Sequence, residues 1–305
     1  MIDRASTFAE SDIVQSLKTD FIAVAIDQWY TRYQEDAEGR FYQKIAKQGP
    51  RKNLKLTTQG MYVCDARGKL LGFCNHHRAD LNRLREVLAT SSAKFDSNIK
   101  AKPLSLNSVD EEYDRTPPEG SLTIRVHSKI LGGYDEPANQ EIKIFQDSIA
   151  RDNLWILEDE IQGLLRGDFP DTLAYRIAQF HLLDNTRGEP LMWDIDELKL
   201  VRMSMSKTGV INGSVRIESK DGKRGYSAAL RGQVKRKGNK LKSFNMVAKG
   251  LCFGDGPYTP HAPKGKFPLA VAFRMADGTD IADPVQPQGT KGWFHKYVSP
   301  VFTER

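Results

Sequence analysis

The chain has 305 residues, of which 39% are hydrophobic and 28% charged, and a net charge of +6. These values describe a globular protein long enough for two domains and for cores that need no staples, and the mild positive charge permits anionic partners without demanding them. No run approaches the roughly 18–20 apolar residues of a membrane span, no n-region and h-region of a signal peptide stand at Met1, and three cysteines, Cys64, Cys74 and Cys252, are too few and odd in number for a disulfide framework.

In chain order, "SDIVQSLKTDF" predicts a helix with Ser11 as its N-cap and Ile13, Val14 and Leu17 on one face. "FIAVAID", Phe21–Asp27, is a nearly continuous apolar run and predicts a strand buried on both faces. "EDAEGRFYQKIAKQG" predicts a helix with Ala37, Phe41, Ile45 and Ala46 on its inner side, stopped by Gly49-Pro50. "GMYVCDARGKLLGF" predicts a hairpin turning at Asp65-Ala66-Arg67-Gly68, and "ADLNRLREVLAT" an amphipathic helix with Leu81, Leu84, Val87 and Leu88 in register. The expected unit is a sheet covered by helices on both faces. A four-residue turn sets Cys64 opposite Lys69, so Cys74 points to the other face and no Cys64–Cys74 disulfide is expected. Both thiols are expected as small buried hydrophobes. "CNHH" offers Cys74, His76 and His77, donor types that suit zinc or copper, but no fourth ligand stands at a recognisable spacing and no metal is expected.

The order helix, "FIAVAID", helix, "DARGKLLG" hairpin, helix resembles the thioredoxin-like family over about residues 1–95. The resemblance implies a thioredoxin fold, here incomplete at its N-terminus, whose redox activity would need a Cys-x-x-Cys pair at the start of the first helix. That pair is absent, and "TTQG" puts Gln59 where the family has a cis-proline; with glutamine the preceding peptide is expected to be trans. A domain that keeps the fold without the reaction follows. The alternative is a thiol–disulfide oxidoreductase whose motif lies upstream of Met1, in which case the protein would also be exported only if its true start lay there.

Residues 96–120 lose apolar periodicity, carry Pro103, Pro117 and Pro118 and an acidic cluster, and read as a linker. From 121 to 305 a β-rich domain is expected. "SLTIRVHSKIL" predicts a strand; "DSIARDNLWILEDEIQGLLRG" predicts a helical region through Leu154, Leu157, Ile161 and Leu164; "DTLAYRIAQFHLLD" suits helix or strand. From Glu197 onward, "ELKLVRMSMSK", "GVINGSVRIESKDG", "GYSAALRGQVKRKGN", "NKLKSFNMVAKGLCFG" and "KFPLAVAFRMADG" are successive strands separated by short Gly-containing turns, hence an antiparallel meander, curved or partly closed. The fold class is α+β.

Arg231, Lys235, Lys237, Lys240 and Lys242 fall on exposed alternations of two adjacent strands. They read as a solvated face rather than a nucleic-acid surface, because few aromatics interleave with them. His181 and Asp184 in "FHLLDNTRGEP", and Tyr258 and His261 in the Gly/Pro-rich "CFGDGPYTPHAPKG", are the candidate ligand-binding residues. A histidine with a carboxylate is the ordinary acid–base pair, and loops on a rigid sheet are where sites tend to lie. The two segments are expected to meet at one end of the sheet and line its main pocket, with Trp193 or Phe253 as a wall. No dinucleotide fingerprint, P-loop or esterase signature appears, and no cofactor is expected. The function expected is a non-catalytic binding or scaffolding module for a protein partner; a hydrolase or small-ligand binder built on the β domain is the other alternative.

Overall fold

In the computed structural model, which describes residues 10–75, 81–100, 109, 110, 113, 116–290 and 294–299, the chain divides into two compact units, one of residues 3–114 and the other of residues 115–305 with residues 1–2.

The first unit is built from α1 (Ser11–Thr19), the short α2 (Gln28–Thr31), α3 (Ala37–Ala46), the hairpin β1 (Met61–Cys64) and β2 (Leu70–Cys74), and α4 (Leu81–Lys94). Ser11 is the first helical residue of α1, and Glu10 holds the cap position without a side-chain bond. Asp36 caps α3, one carboxylate oxygen accepting from the Gly39 N–H at 2.9 Å and the other from Gln34. Ala37, Tyr42, Ile45 and Ala46 of α3 are buried. In the hairpin, Asp65 accepts from the backbone N–H groups of Arg67 and Lys69. That draws Lys69 into the turn, so a bulge pairs Cys64 with Leu70 rather than with Lys69. Ile13 of α1 and Leu84 and Leu88 of α4 form a small core, against which Phe21, Met61 and Val63 pack. The peptide before Gln59 is trans.

The expected strand "FIAVAID" is not one. Residues 21–27 have no regular structure, and Ile22 and Val24 are 94% and 70% exposed. Among the described residues the sheet of this unit has two strands, with β1 half-buried throughout, and is not the covered sheet that the pattern suggested. β propensity describes fitness for a pleated, flanked surface, and among the described residues no strand pairs with this segment.

The second unit holds a seven-stranded antiparallel sheet in the order β4-β3-β9-β8-β7-β6-β5. Its strands are β3 (Leu122–Ile130), β4 (Ala150–Ile156), β5 (Leu198–Met205), β6 (Val210–Glu218), β7 (Gly225–Lys237), β8 (Lys240–Phe253) and β9 (Lys266–Met275). Strands β5 to β9 form the expected meander, and the antiparallel pair β3–β4 adds to β9 through β3. The sheet is open, with β4 and β5 at its edges. Gly209 makes the β5–β6 turn with φ +84°, and a Cβ there would stand 2.1 Å from the Val234 carbonyl oxygen, so glycine is required twice over.

The "DSIARDNLWILEDEIQGLLRG" stretch corrects the expected helical region. It contains the end of α5 (Gln140–Asp147), then β4, and only then α6 (Glu158–Arg166). A strand buried on both faces reads as a continuous apolar run, and the 154/157/161/164 spacing spans the end of that strand, the N-cap Leu157 and the helix proper. "DTLAYRIAQF" settles as helix α7 (Asp171–Phe180). α7 contributes Leu173, Ile177 and Phe180 to the core under the inner sheet face of Leu230, Phe244, Leu269, Val271 and Phe273. The short α8 (Phe294–Val298) places Tyr297 and Phe294 edge-on against Trp155 of β4, at 6.2 and 6.4 Å between ring centroids. No described helix is long and apolar enough to cross a membrane.

Candidate functional site

His181 ends α7 and is 2% exposed. Its Nδ1 lies 3.1 Å from Asp152 Oδ2 on β4, and its Nε2 lies 2.9 Å from the Tyr297 hydroxyl on α8. Burial raises the Tyr297 phenol far above its ordinary range, so it remains an O–H donor. The hydroxyl therefore donates to Nε2, accepts the Trp155 N–H at 3.3 Å, and leaves Nδ1–H to donate to Asp152. The other Asp152 oxygen accepts from the N–H groups of Asn153 and Gln288. This is a tyrosine–histidine–aspartate chain in which every donor and acceptor is used. Its members are 0%, 2% and 9% exposed. An acid–base relay must touch its substrate, and this one is sealed, so it ties α8 and α7 to the edge strand.

Next to it, Arg176 of α7 is wholly buried. It donates to the carbonyls of Trp155 and Tyr297 and pairs with Glu160 of α6 at 3.2 Å, with its guanidinium 4.6 Å from the centre of the Tyr297 ring. Burial pushes the Glu160 carboxyl upward against the opposing pull of Arg176.

Asp184 is buried too and is engaged at both oxygens. Oδ1 accepts from Thr186 N–H and O–H, and Oδ2 pairs with Arg187 at 2.8 Å. Arg187 then crosses to the loop after β8, where it meets Asp255 at 2.6 Å and the carbonyls of Thr259 and Pro260. A Cβ on Gly188 would stand 2.0 Å from the Tyr258 carbonyl oxygen, so the two backbones nearly touch. The phenol of Tyr134 beside this staple is pushed up to about 12 by burial and by the Asp184 charge. The two candidate segments thus come together through Arg187, which stands in the "FHLLDNTRGEP" segment but is not among the candidate ligand-binding residues. His181 spends both ring nitrogens on Asp152 and Tyr297. Tyr258 is 67% exposed, and His261 is exposed with φ +66°. Trp193 is core, its indole N–H bonded to the Leu182 carbonyl at 2.9 Å. His76 and His77 lie outside the described residues, and among those described no His/Cys/Asp/Glu group of three could hold a metal.

The open surface lies elsewhere. On the outer face of the sheet a shallow depression of about 500 Å³ is lined by Ala229 and Arg231 of β7, Val247, Lys249, Gly250 and Leu251 of β8, and Pro268 of β9. Neither His181, Asp184, Tyr258 nor His261 lines it. Strand register builds it: Ala229 stands opposite Lys249, Arg231 opposite Val247, and Leu251 opposite Pro268. The same register sets Arg202, Arg216 and Arg274 on this face, all exposed. None of Arg202, Arg216, Arg231, Lys249 and Arg274 forms an ion pair among the described residues. Arg125 and Arg151 at the β3–β4 end of the face are instead neutralised by Asp277, Asp280 and Asp283. The sequence showed the cations of β7 and β8; it did not show which of them share a face with Val247 and Leu251, because that depends on pairing.

Comparison with protein-family models, with curated proteins and with solved structures finds no match to this chain.

The cysteines complete the inventory. Cys64 is half-buried, and burial together with neighbouring Asp65 pushes its thiol up. Cys252 is buried and pushed up to about 12, and Cys74 is buried. A reactive thiolate needs a lowered pKa and access; Cys64 and Cys252 are shifted the other way, and Cys74 and Cys252 are buried.

Proposed function

We propose that this protein is a non-catalytic binding module whose β-rich unit presents its outer sheet face to an acidic protein partner. The observation that carries the reading is the pairing of unneutralised cations, Arg231 and Lys249 foremost, with exposed Val247 and Leu251, 43% and 50% accessible, around one depression. Cations steer an acidic partner and set its register, and the aliphatic centre supplies apolar burial. Nucleic acid is the weaker fit, since the side chains lining the depression include no aromatic ring on which a base would stack. The first unit is read as a thioredoxin-like domain without redox chemistry. The order α1, α3, hairpin, α4 supports that likeness while the irregular 21–27 segment departs from it, and the raised Cys64 and Cys252 thiols support the lack of redox chemistry.

An amide chemical-shift titration of the full chain with poly-L-glutamate, and in parallel with a single-stranded oligonucleotide, tests the reading. Saturable shifts confined to residues 227–233, 245–251 and 268–274, abolished in Arg231→Glu/Lys249→Glu, are expected with the polypeptide. Tighter binding of the oligonucleotide at the same residues, or shifts centred on Tyr258 and His261, would replace it.

A further inference from the structure

Ile22–Ile26 is a run of five apolar residues, all exposed and uninterrupted by charge or proline. No backbone hydrogen bond joins its N–H or C=O groups to the rest of the unit among the described residues. Such an unpaired, β-branched run is a template for another strand. Its sequence says which one. Ile-Ala-Val-Ala-Ile reads the same in both directions, so it is complementary to itself when antiparallel. Paired about Val24, Ile22 meets Ile26 of a second copy, Ala23 meets Ala25, and Val24 meets Val24. Residues directly opposite in an antiparallel pair share a face. The six β-branched side chains then lie on one side and the four alanines on the other.

The flanks agree with this register. Phe21 stands opposite Asp27 and Asp20 opposite Gln28, so no like charges face each other. A shift of the two-fold centre to Ala23 sets Asp20 against Ile26, and a shift to Ala25 sets Asp27 against Ala23; both also mismatch valine with isoleucine. A stable dimer buries about 1,200 Å² or more, which five residues alone do not supply. Trp29, Tyr33 and Leu56 add exposed apolar surface just beyond Ile26. They gather on Arg32, whose guanidinium lies 4.2 and 4.7 Å from the two ring centres and donates to the Leu56 carbonyl.

We propose that Ile22–Ile26 is a self-pairing strand through which two copies of this chain associate about a two-fold axis at Val24. A homodimer two-fold makes the interface isologous, so one residue on the axis meets itself.

Sedimentation velocity of the full chain, wild type and Val24→Lys, combined with oxidative cross-linking of single cysteine variants beside a wild-type control, tests this. The expected results are a concentration-dependent dimer, a dissociation constant raised at least about tenfold by Val24→Lys, and a covalent dimer from Val24→Cys alone. Ile22→Cys should cross-link only when mixed with Ile26→Cys. A wild-type chain that stays monomeric overturns the proposal, including one that takes up a strand from a different protein. So does a dimer that Val24→Lys leaves intact, or an Ile22→Cys chain that cross-links to itself as readily as Val24→Cys. Val24 is exposed, so its substitution leaves folding untouched.

Discussion

"FIAVAI" at residues 21–26 and "FPLAVAF" at residues 267–273 are nearly the same phrase, and the molecule treats them in opposite ways. The second is the body of β9, with Phe267, Leu269, Val271 and Phe273 all at most 2% exposed. It lies between β8 and β3 with both edges bonded. The first lies open, although its residues are as β-prone and it lacks the proline that β9 carries at 268. Local preference is therefore not what separates them. A strand exists where neighbouring edges and a covering layer exist, and β9 has α7 and the rest of the meander to provide both.

The largest way to break this contrast is to remove the layer behind the sheet's edge. Arg176→Ala leaves Glu160 buried without its cation, and a loss of about 3–5 kcal/mol is expected in the urea transition of the second unit. Replacing both, Arg176→Met with Glu160→Leu, should recover most of it, because the desolvated charges then vanish together. Next is β9 itself. Leu269→Ala opens a cavity in the core and should cost about 2–5 kcal/mol by the same measurement.

A smaller effect lies in the acid range. Arg125 and Arg151 meet Asp283, and the hydrogen bond and charge of Arg125 hold the Asp283 carboxyl below the ordinary carboxylate range. A depressed folded pKa contributes stability that is present above the unfolded value, roughly 3.9 for aspartate, and is lost as pH falls through the folded one. The melting temperature of the second unit should therefore fall on acidification below about pH 4, and Arg125→Met should flatten that fall. An unchanged slope in the variant would show that other carboxylates govern it. The smallest effect sharpens the contrast from the other side. Val24→Ala, at the counterpart of a core strand position, should change the stability of the isolated protomer by no more than about 0.5 kcal/mol.

The meander was legible because its turns are: Lys207-Thr208-Gly209, the Lys220–Gly225 stretch and Lys237-Gly238-Asn239 each interrupt period-two alternation and close one hairpin. Helices α1, α3 and α4 were legible from their apolar faces. What failed did so where the pattern is two-valued. "DNLWI" is apolar without a break, which suits a doubly buried strand as well as a helix, and only its pairing to β3 decides. "FIAVAID" has a strand's composition but no partner. At the candidate site, His181 and Asp184 read in sequence as ligand-binding residues, but what they touch depends on distant residues: Asp152 on β4, Tyr297 on α8 and, through Arg187, Asp255 after β8. No local pattern announces a partner on another element. The cationic face was half visible for the same reason, since alternation names the exposed residues of each strand and only register names their neighbours.

The position of β9 in the sheet also fixes an order of events. β3 waits for β9, whose residues are made near the other end of the unit, as Val126 pairs with Phe273 and Ile130 with Leu269. Contacts of that sequence separation are slow to form. During synthesis β3, even once paired with β4, has no partner on its other edge until the meander from β5 to β8 has been laid down and β9 is made. The second unit is therefore expected to close late, with its open β3 edge most exposed to wrong pairing before Phe267–Phe273 is made.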